Sequence, residues 1–288
     1  MEPHVQLMRP LNSAMSAVAV FAGALVAAGP PVLSSGGLTA VAVAAGVAFL
    51  YTAGGNTLND YRDRRTDRIN HPRRPIPSRR ISAESARKFS IALFSAGMMG
   101  ALFIGYPRPN ALCILLALLN CLLLVGYEMR LKSWGFPGNL TVSWLTASLF
   151  LFGGAATQAG VPQSVFPPPV LALALLAFLA SVGREIIKGI EDVEGDRDRL
   201  TLPRVLGTRR SGHVASLWIL LAVGFSGIPV FPLGIFRPQY YLPMVALADG
   251  MFIYSVLVLF RNPGRASQAA KLAMLLALAA FLAGALVP

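Results

Sequence analysis

The sequence has few charged residues, and this shortage excludes an ordinary soluble domain. Charged residues make up 13% of the 288 positions, whereas soluble domains carry roughly 25%. Hydrophobic residues make up 55%, and the mean hydropathy is +0.61. The apolar excess predicts that most of the chain faces lipid or packs against helices that do.

Cysteine and histidine are also scarce. The two cysteines, Cys113 and Cys121, lie in one apolar run, and eight residues of helix separate them by roughly 12 Å, too far for a disulfide. The three histidines are scattered and match no metal-ligand spacing. The sequence contains no Gly-x-Ser-x-Gly motif, glycine-rich nucleotide loop or zinc pattern. These absences argue against a zinc enzyme, a serine hydrolase and a nucleotide-binding fold.

Long apolar runs are abundant. Nine runs have the length of about 20 residues that a helix needs to cross a bilayer. They lie near 11–29, 38–58, 86–105, 110–128, 140–158, 169–190, 212–231, 240–260 and 266–287. Proline and glycine between the runs end the helices. The first run lacks a basic n-region and a clear cleavage site, so we expect a membrane helix there and not a cleaved signal peptide. We predict one all-α, polytopic membrane domain over residues 1–288.

Basic residues are distributed unevenly between the two sides of this nine-helix arrangement. With the N-terminus and every second loop on one side, 23 of the 25 Lys and Arg residues lie there, and only Arg108 and Arg237 lie on the other. Positive charge marks the cytoplasmic side, which predicts a cytoplasmic N-terminus. The net charge of +12 therefore indicates anionic headgroups or phosphorylated substrates, not nucleic acid. Twelve of the thirteen acidic residues lie on the same side, and the exception, Asp249, falls in the middle of the eighth run. It is either a functional candidate or a structural carboxylate paired with a backbone group or hydroxyl.

The second apolar run ends in a segment crowded with opposed charge. Asn59, Asp63 and Asp67 follow one another at four-residue spacing, which stacks them along one helix face, whereas Asp60 lies about 100° off that face. Like charges at this spacing repel unless cations compensate them. Taken alone, the segment is either a ligand site or a solvated charged cap with salt bridges.

A second cluster favours the ligand site. Asp192 and Asp196, again four residues apart, follow the sixth run, so that both clusters fall at the cytoplasmic ends of even-numbered helices. Mg²⁺ commonly binds through one or two carboxylates together with substrate phosphates. Two such clusters can bridge a diphosphate whose lipid tail runs between the helices. Metal ions would then neutralise the departing diphosphate, and the apolar surroundings would keep water from an allylic carbocation.

With these motifs the sequence resembles the UbiA superfamily of intramembrane prenyltransferases. Its N-x-x-x-D-x-x-x-D motif is matched by Asn59, Asp63 and Asp67, and its D-x-x-x-D motif by Asp192 and Asp196. The resemblance implies nine transmembrane helices around a central cavity and Mg²⁺-dependent transfer of a prenyl group from a prenyl diphosphate. We expect the four aspartates to be catalytic and to bind Mg²⁺ together with Asn59. The long loop 60–85 is expected to form a cytoplasmic cap.

Other segments resemble the family's substrate-contacting positions, among them "MRPLNSAM" and "GYEMRLKSWGFPGNL". The expected substrate contacts are Arg9, Asn12, Asn56, Arg74, Tyr127, Lys132, Asn139, Arg184 and Lys188. Ordinary structural roles are the alternatives: contact with lipid headgroups for the basic residues, an aromatic belt for Tyr127 and helix capping for Asn56.

Two further segments, "INHPRRPIPSRRIS" and "GREIIKGIEDVEGD", most resemble the archaeal lipid-forming branch, the digeranylgeranylglyceryl phosphate synthases. That branch joins geranylgeranyl diphosphate to the free hydroxyl of geranylgeranylglyceryl phosphate, which implies ether-lipid biosynthesis in the cell membrane. One alternative is an aromatic prenyltransferase of the same family, acting on 4-hydroxybenzoate or a similar ring. Another is a non-enzymatic membrane transporter or lipid-binding protein, although charge gathered at one edge of the membrane argues against transport.

Overall fold

The computed structural model describes residues 2–33, 37–158, 166–194 and 200–286, and within these ranges the chain is helical and contains no strand. The helices are α1 (Pro3–Met8), α2 (Pro10–Ala28), α3 (Gly37–Arg62), α4 (Arg64–Asn70), α5 (Ala83–Phe103), α6 (Ala111–Met129), α7 (Phe136–Ala156), α8 (Pro168–Glu191), α9 (Leu202–Leu206), α10 (Thr208–Phe225), α11 (Pro238–Leu259) and α12 (Pro263–Leu286). Nine of these described helices have 18 residues or more and coincide with the nine predicted runs. The all-α class is confirmed.

Seven of the described helices are long and apolar enough to cross a membrane. The two long helices outside this set, α5 and α10, each carry a pair of adjacent basic residues near the start, which lowers their hydropathy. Nine membrane crossings therefore stay a prediction. Large apolar side chains such as Leu115, Leu122 and Leu257 are more than 60% exposed on the spanning helices, which is the pattern of a lipid-facing surface. The chain is a multi-pass membrane protein.

The long helices form a closed ring. Each packs against the next in chain order, and α12 returns to pack against α2. In addition, α2 packs against α7 and α8 packs against α12, so helices that are not neighbours in the ring are also in contact. Cys113 and Cys121 are both free, as predicted.

The crossing of α2 and α7 depends on two glycines. A Cβ placed on Gly23 would lie 2.2 Å from the carbonyl oxygen of Phe150, and one on Gly153 would lie 2.0 Å from that of Val20. No side chain fits these gaps, so the glycines allow the two backbones to touch, as small residues do between membrane helices. This contact sets the position of one wall of the central cavity.

The segment between α3 and α5 packs on the N-terminal helix. Leu7 of α1 is fully buried and shares a small apolar core with Ile76, Ile81 and Ala86. Arg80 also donates a hydrogen bond to the side chain of Gln6 at 2.7 Å. The segment predicted to form a cap is therefore anchored to α1; closure over the cavity stays a prediction.

Candidate active site

A cavity of 990 Å³ lies within the ring of helices. Its interior is lined by apolar side chains that include Leu149, Leu176, Val245 and Phe281. Its mouth is lined by polar residues from the ends of α3, α6 and α8. The cavity thus joins a charged entrance to an apolar interior.

The cavity brings together nearly all of the residues singled out by the sequence. It is lined by Arg9, Asn12, Asn56, Asn59, Asp63, Asp67, Arg74, Tyr127, Lys132, Asn139, Arg184, Lys188 and Asp192. Asp196 lies outside the described residues. Lining the cavity is a finding about position, and the individual roles of these residues stay predictions.

One detail of the first motif differs from the prediction. The prediction of a single helix through the motif is wrong, because α3 ends at Arg62. The next residue, Asp63, has φ −83° and ψ 5° and separates α3 from α4. The helical hydrogen bonds nevertheless continue across the break: the Asp63 N–H donates to Asn59 O and the Asp67 N–H to Asp63 O, both at 2.8 Å. The four-residue repeat therefore survives, and all three side chains reach the cavity.

Asp63 lies in a hydrogen-bonded group with residues of α6 and the turn after it. The Lys132 ammonium donates to Asp63 Oδ2 at 2.7 Å and to Glu128 Oε2 at 3.3 Å. The Asn59 amide donates to Asp63 Oδ2 at 3.2 Å and to Glu128 Oε1 at 3.1 Å. Sequence reasoning missed Glu128, which lines the cavity one helical turn before Lys132. The only sequence signal was a carboxylate at the end of an apolar run.

A second group holds two arginines at the mouth. Arg74 donates to both carboxylate oxygens of Asp67 at 2.9 and 2.8 Å, and it also reaches Asp60 at 3.4 Å. Arg9 donates to Asp60 at 2.5 Å. The Asp60 side chain is 4% exposed and is not among the cavity-lining residues, in agreement with its predicted position off the motif face. Its carboxylate anchors the two arginines from behind.

The wall formed by α8 and α12 carries further charge. Arg184 forms an ion pair with its neighbour Glu185, and Lys188 follows one turn later on α8. Asp192 caps the end of α8, where its N–H donates to Lys188 O at 2.9 Å. Lys271, on α12, also lines the cavity, and sequence reasoning missed it because it stands alone inside an apolar run.

Asp249, on α11, also lines the cavity. It accepts a hydrogen bond from the Ser226 hydroxyl at 2.7 Å, and Tyr241 donates to the Ser226 carbonyl at 2.8 Å. The pairing of Asp249 with a hydroxyl agrees with the alternative of a structural carboxylate.

The donor atoms at the mouth fit a magnesium ion shared with a substrate. Within the described part of the chain, no three acidic, histidine or cysteine side chains are grouped closely enough to hold a metal by themselves. Oxygen donors on Asn59, Asp63, Asp67 and Asp192 nevertheless line one cavity. Mg²⁺ takes such oxygens, with one or two carboxylates and the remaining ligands from phosphates or water.

Together, the ring of apolar helices and the charged mouth define a membrane protein with an internal cavity that is polar at its entrance and apolar inside. Residues 16–284 match the profile of the UbiA prenyltransferase family, and the chain belongs to that family. It is 39% identical over 290 aligned positions to the digeranylgeranylglyceryl phosphate synthase of Methanopyrus kandleri, covering 99% of this chain and 100% of the relative.

Solved structures agree with this assignment. A structure from a study of digeranylgeranylglyceryl phosphate synthase in membranes superposes with a TM-score of 0.75 at 33% identity, covering 99% of this chain and 98% of the other. A UbiA homologue from Archaeoglobus fulgidus, bound to DMAPP and Mg²⁺, has a TM-score of 0.63 at 18% identity, covering 97% and 99% of the two chains. The second likeness shows the common fold. Membership of a prenyltransferase family favours an enzyme over the transporter alternative.

Proposed function

We propose that this chain transfers a geranylgeranyl group from geranylgeranyl diphosphate to the free hydroxyl of geranylgeranylglyceryl phosphate, a step toward archaeal ether lipids. The observation that carries the proposal is the cavity, which joins the oxygen donors of the first motif to an apolar interior. The 39% sequence identity to the digeranylgeranylglyceryl phosphate synthase of Methanopyrus kandleri supports this choice of substrates.

Oxygen donors at the mouth would hold the cofactor. Asn59, Asp63, Asp67 and Asp192 are the residues we assign to Mg²⁺, and Asp196 completes the second motif outside the described residues. Mg²⁺, when bound, supplies positive charge that offsets the charge growing on the departing diphosphate. The Archaeoglobus fulgidus homologue, solved with DMAPP and Mg²⁺, supports this assignment.

Cations of the chain itself bind the diphosphate in this proposal. Lys132 and Arg74 lie 2.7 and 2.8 Å from the carboxylates of Asp63 and Asp67, so each ammonium or guanidinium is already within reach of a phosphate bound beside that carboxylate. The planar guanidinium of Arg74 can contact a carboxylate and a phosphate oxygen with different N–H groups. Glu128 and Asp60 accept hydrogen bonds from Lys132 and Arg74 and so restrain both cations.

The apolar interior holds the prenyl tail. Side chains such as Leu149, Leu176 and Phe281 exclude water, which would otherwise capture an allylic cation. In the transfer, the bond between the first prenyl carbon and the diphosphate oxygen breaks. A new ether bond forms to the acceptor hydroxyl oxygen, and the hydroxyl proton is released.

We also propose that residues 1–288 act as one domain whose N-terminus and cavity mouth face the cytoplasm. The match over residues 16–284 supports the single domain, and the gathering of 23 of 25 basic residues on one side supports the orientation. A cysteine introduced at Ser78 should react with a membrane-impermeant reagent only in inverted vesicles. Labelling in intact cells would show that the orientation is the opposite one.

The activity test offers two acceptors to the purified protein in detergent. Labelled geranylgeranyl diphosphate and Mg²⁺ are incubated with geranylgeranylglyceryl phosphate in one tube and 4-hydroxybenzoate in another, with Asp63→Ala and Asp192→Ala as controls. We expect product only with the glyceryl phosphate and none from either variant. Product only with the aromatic acid would keep the prenyl transfer and replace the acceptor.

A further inference from the structure

Most basic side chains that line the cavity already have a carboxylate partner. Lys132 is paired with Asp63, Arg74 with Asp67, and Arg184 with Glu185. Lys188 and Lys271 line the same cavity, but neither forms an ion pair with any carboxylate of the described residues. Within the described part of the chain, these two ammonium groups are therefore available to an anionic ligand.

The two lysines come from neighbouring helices that run in opposite directions. At the end of α8, Glu191 Oε1 would lie 3.3 Å from a Cβ placed on Gly264, near the start of α12, so these two positions are at a similar depth. Helices advance 1.5 Å per residue. Arg184 lies seven residues, about 10 Å, inward of Glu191, and Lys271 lies seven residues inward of Gly264, so these two basic residues are at about the same depth. Lys188 lies about one turn nearer the mouth. The α8–α12 wall thus carries Arg184, Lys188 and Lys271 at neighbouring depths, together with the carboxylates of Glu185, Glu191 and Asp192.

Lys271 lies within a helix that is long and apolar enough to span the membrane. A charged side chain in such a helix is costly, and it usually faces a cavity or a partner and marks a substrate path. Lys271 faces the cavity, and an anion bound there would supply the missing negative charge. The first motif, on α3 and α4, has its own cations in Lys132 and Arg74. Lys188 and Lys271 lie on the facing α8–α12 wall, where Asp192 of the second motif follows Lys188 by one turn.

We infer that Lys188 and Lys271 form the subsite for the phosphate of the acceptor. The inference rests on the proposed function, in which the donor carries a diphosphate and the acceptor carries one phosphomonoester. A phosphomonoester bears a charge of about −1.5 to −2 at neutral pH, which two ammonium groups without an ion pair among the described residues match. With its phosphate on this wall, the acceptor keeps its free hydroxyl for the prenyl carbon of the donor bound at the first motif.

The test separates acceptor binding from donor binding. Lys188→Met and Lys271→Met keep the length of the side chain and remove its charge. We expect each to raise the KM for geranylgeranylglyceryl phosphate about tenfold, the effect of one lost hydrogen bond to a charged group, with the KM for geranylgeranyl diphosphate changed less than about twofold. Lys271→Arg should recover most of the loss. Lys88→Met is the matched control, because Lys88 is 74% exposed on α5 and outside the cavity.

A second readout uses geranylgeranylglycerol, which lacks the phosphate. The wild type should prefer the phosphorylated acceptor, and Lys271→Met should lose most of that preference. An unchanged acceptor KM, as for a lysine extended to the lipid headgroups, would overturn the subsite, and so would an equal rise in both KM values. If wild type makes no product from geranylgeranylglyceryl phosphate, the proposed function itself fails. Thermal melting in detergent checks folding; should Lys271→Met not fold, Lys271→Gln replaces it.

Discussion

The Asp60 carboxylate accepts a hydrogen bond from Arg9 at 2.5 Å and another from Arg74 at 3.4 Å. Both arginines line the cavity, whereas Asp60 is buried behind them. Arg9 reaches this position because its left-handed backbone, with φ 48°, joins α1 to α2. One buried carboxylate therefore holds two cations, Arg9 and Arg74, that come from opposite ends of a 66-residue stretch.

Asp60→Asn should weaken donor binding without removing the catalytic groups. The amide cannot balance two guanidinium charges, so both arginines lose their fixed position. We expect the KM for geranylgeranyl diphosphate to rise about tenfold, the loss of a hydrogen bond between charged groups, with a smaller change in kcat. Steady-state kinetics measure both. Glu84→Gln, the same substitution in an exposed pair with Arg87, is the control and should match wild type; a kcat loss alone in Asp60→Asn would contradict a positioning role.

Removal of Mg²⁺ and loss of one of its carboxylate ligands should both stop prenyl transfer. Chelation by EDTA is expected to abolish product formation, and excess Mg²⁺ should restore it, because carboxylates and phosphates share the ion. We expect Asp63→Asn to lower kcat by about 10²-fold or more, because it removes a metal ligand and with it a major electrostatic stabiliser of the transition state. Product formation is followed across a Mg²⁺ titration. Full activity in EDTA would refute the cofactor assignment.

The contact of α2 with α7 should be sensitive to a single methyl group. Gly153→Ala would place a Cβ 2.0 Å from a backbone oxygen of α2, which forces the helices apart and should cost about 1–3 kcal/mol. Gly250→Ala is the matched control, since nothing lies within 4 Å of its added Cβ. Thermal unfolding in detergent should show a lower Tm for Gly153→Ala only. Equal Tm values would mean that the helices do not touch at this point.

The anchoring of the segment after α4 can be tested through Leu7. Leu7→Ala removes a fully buried side chain from the core shared with Ile76 and Ile81, at a cost of about 2–5 kcal/mol. We expect faster trypsin cleavage at Arg73 and Arg79, because this segment would detach from α1. Leu11→Ala, at a side chain that is 68% exposed, should leave the cleavage rate unchanged. Equal rates in both variants would show that α1 does not hold the segment.

The sequence predicted the helices and the first motif well, because both depend on short-range spacing. Apolar runs located nine long helices, and four-residue spacing located Asn59, Asp63 and Asp67, whose repeat survives a break at Asp63. Glu128 could not be found in this way. Its importance comes from Asn59, which lies 69 residues away in the chain and 3.1 Å away in space. Spacing within one helix carries no information about such a partner.

The sequence by itself determined that the chain is an all-helical membrane protein with acidic motifs at the ends of two helices, since hydropathy and helical period are local properties. Only the tertiary structure decided which cations meet which carboxylates: Lys132 with Asp63, Arg74 with Asp67, and Arg9 with the off-face Asp60. It also placed Lys188 and Lys271 along one cavity wall without a carboxylate partner among the described residues. These pairings depend on how separate helices pack around a common cavity, and that packing arises from contacts between residues far apart in the chain.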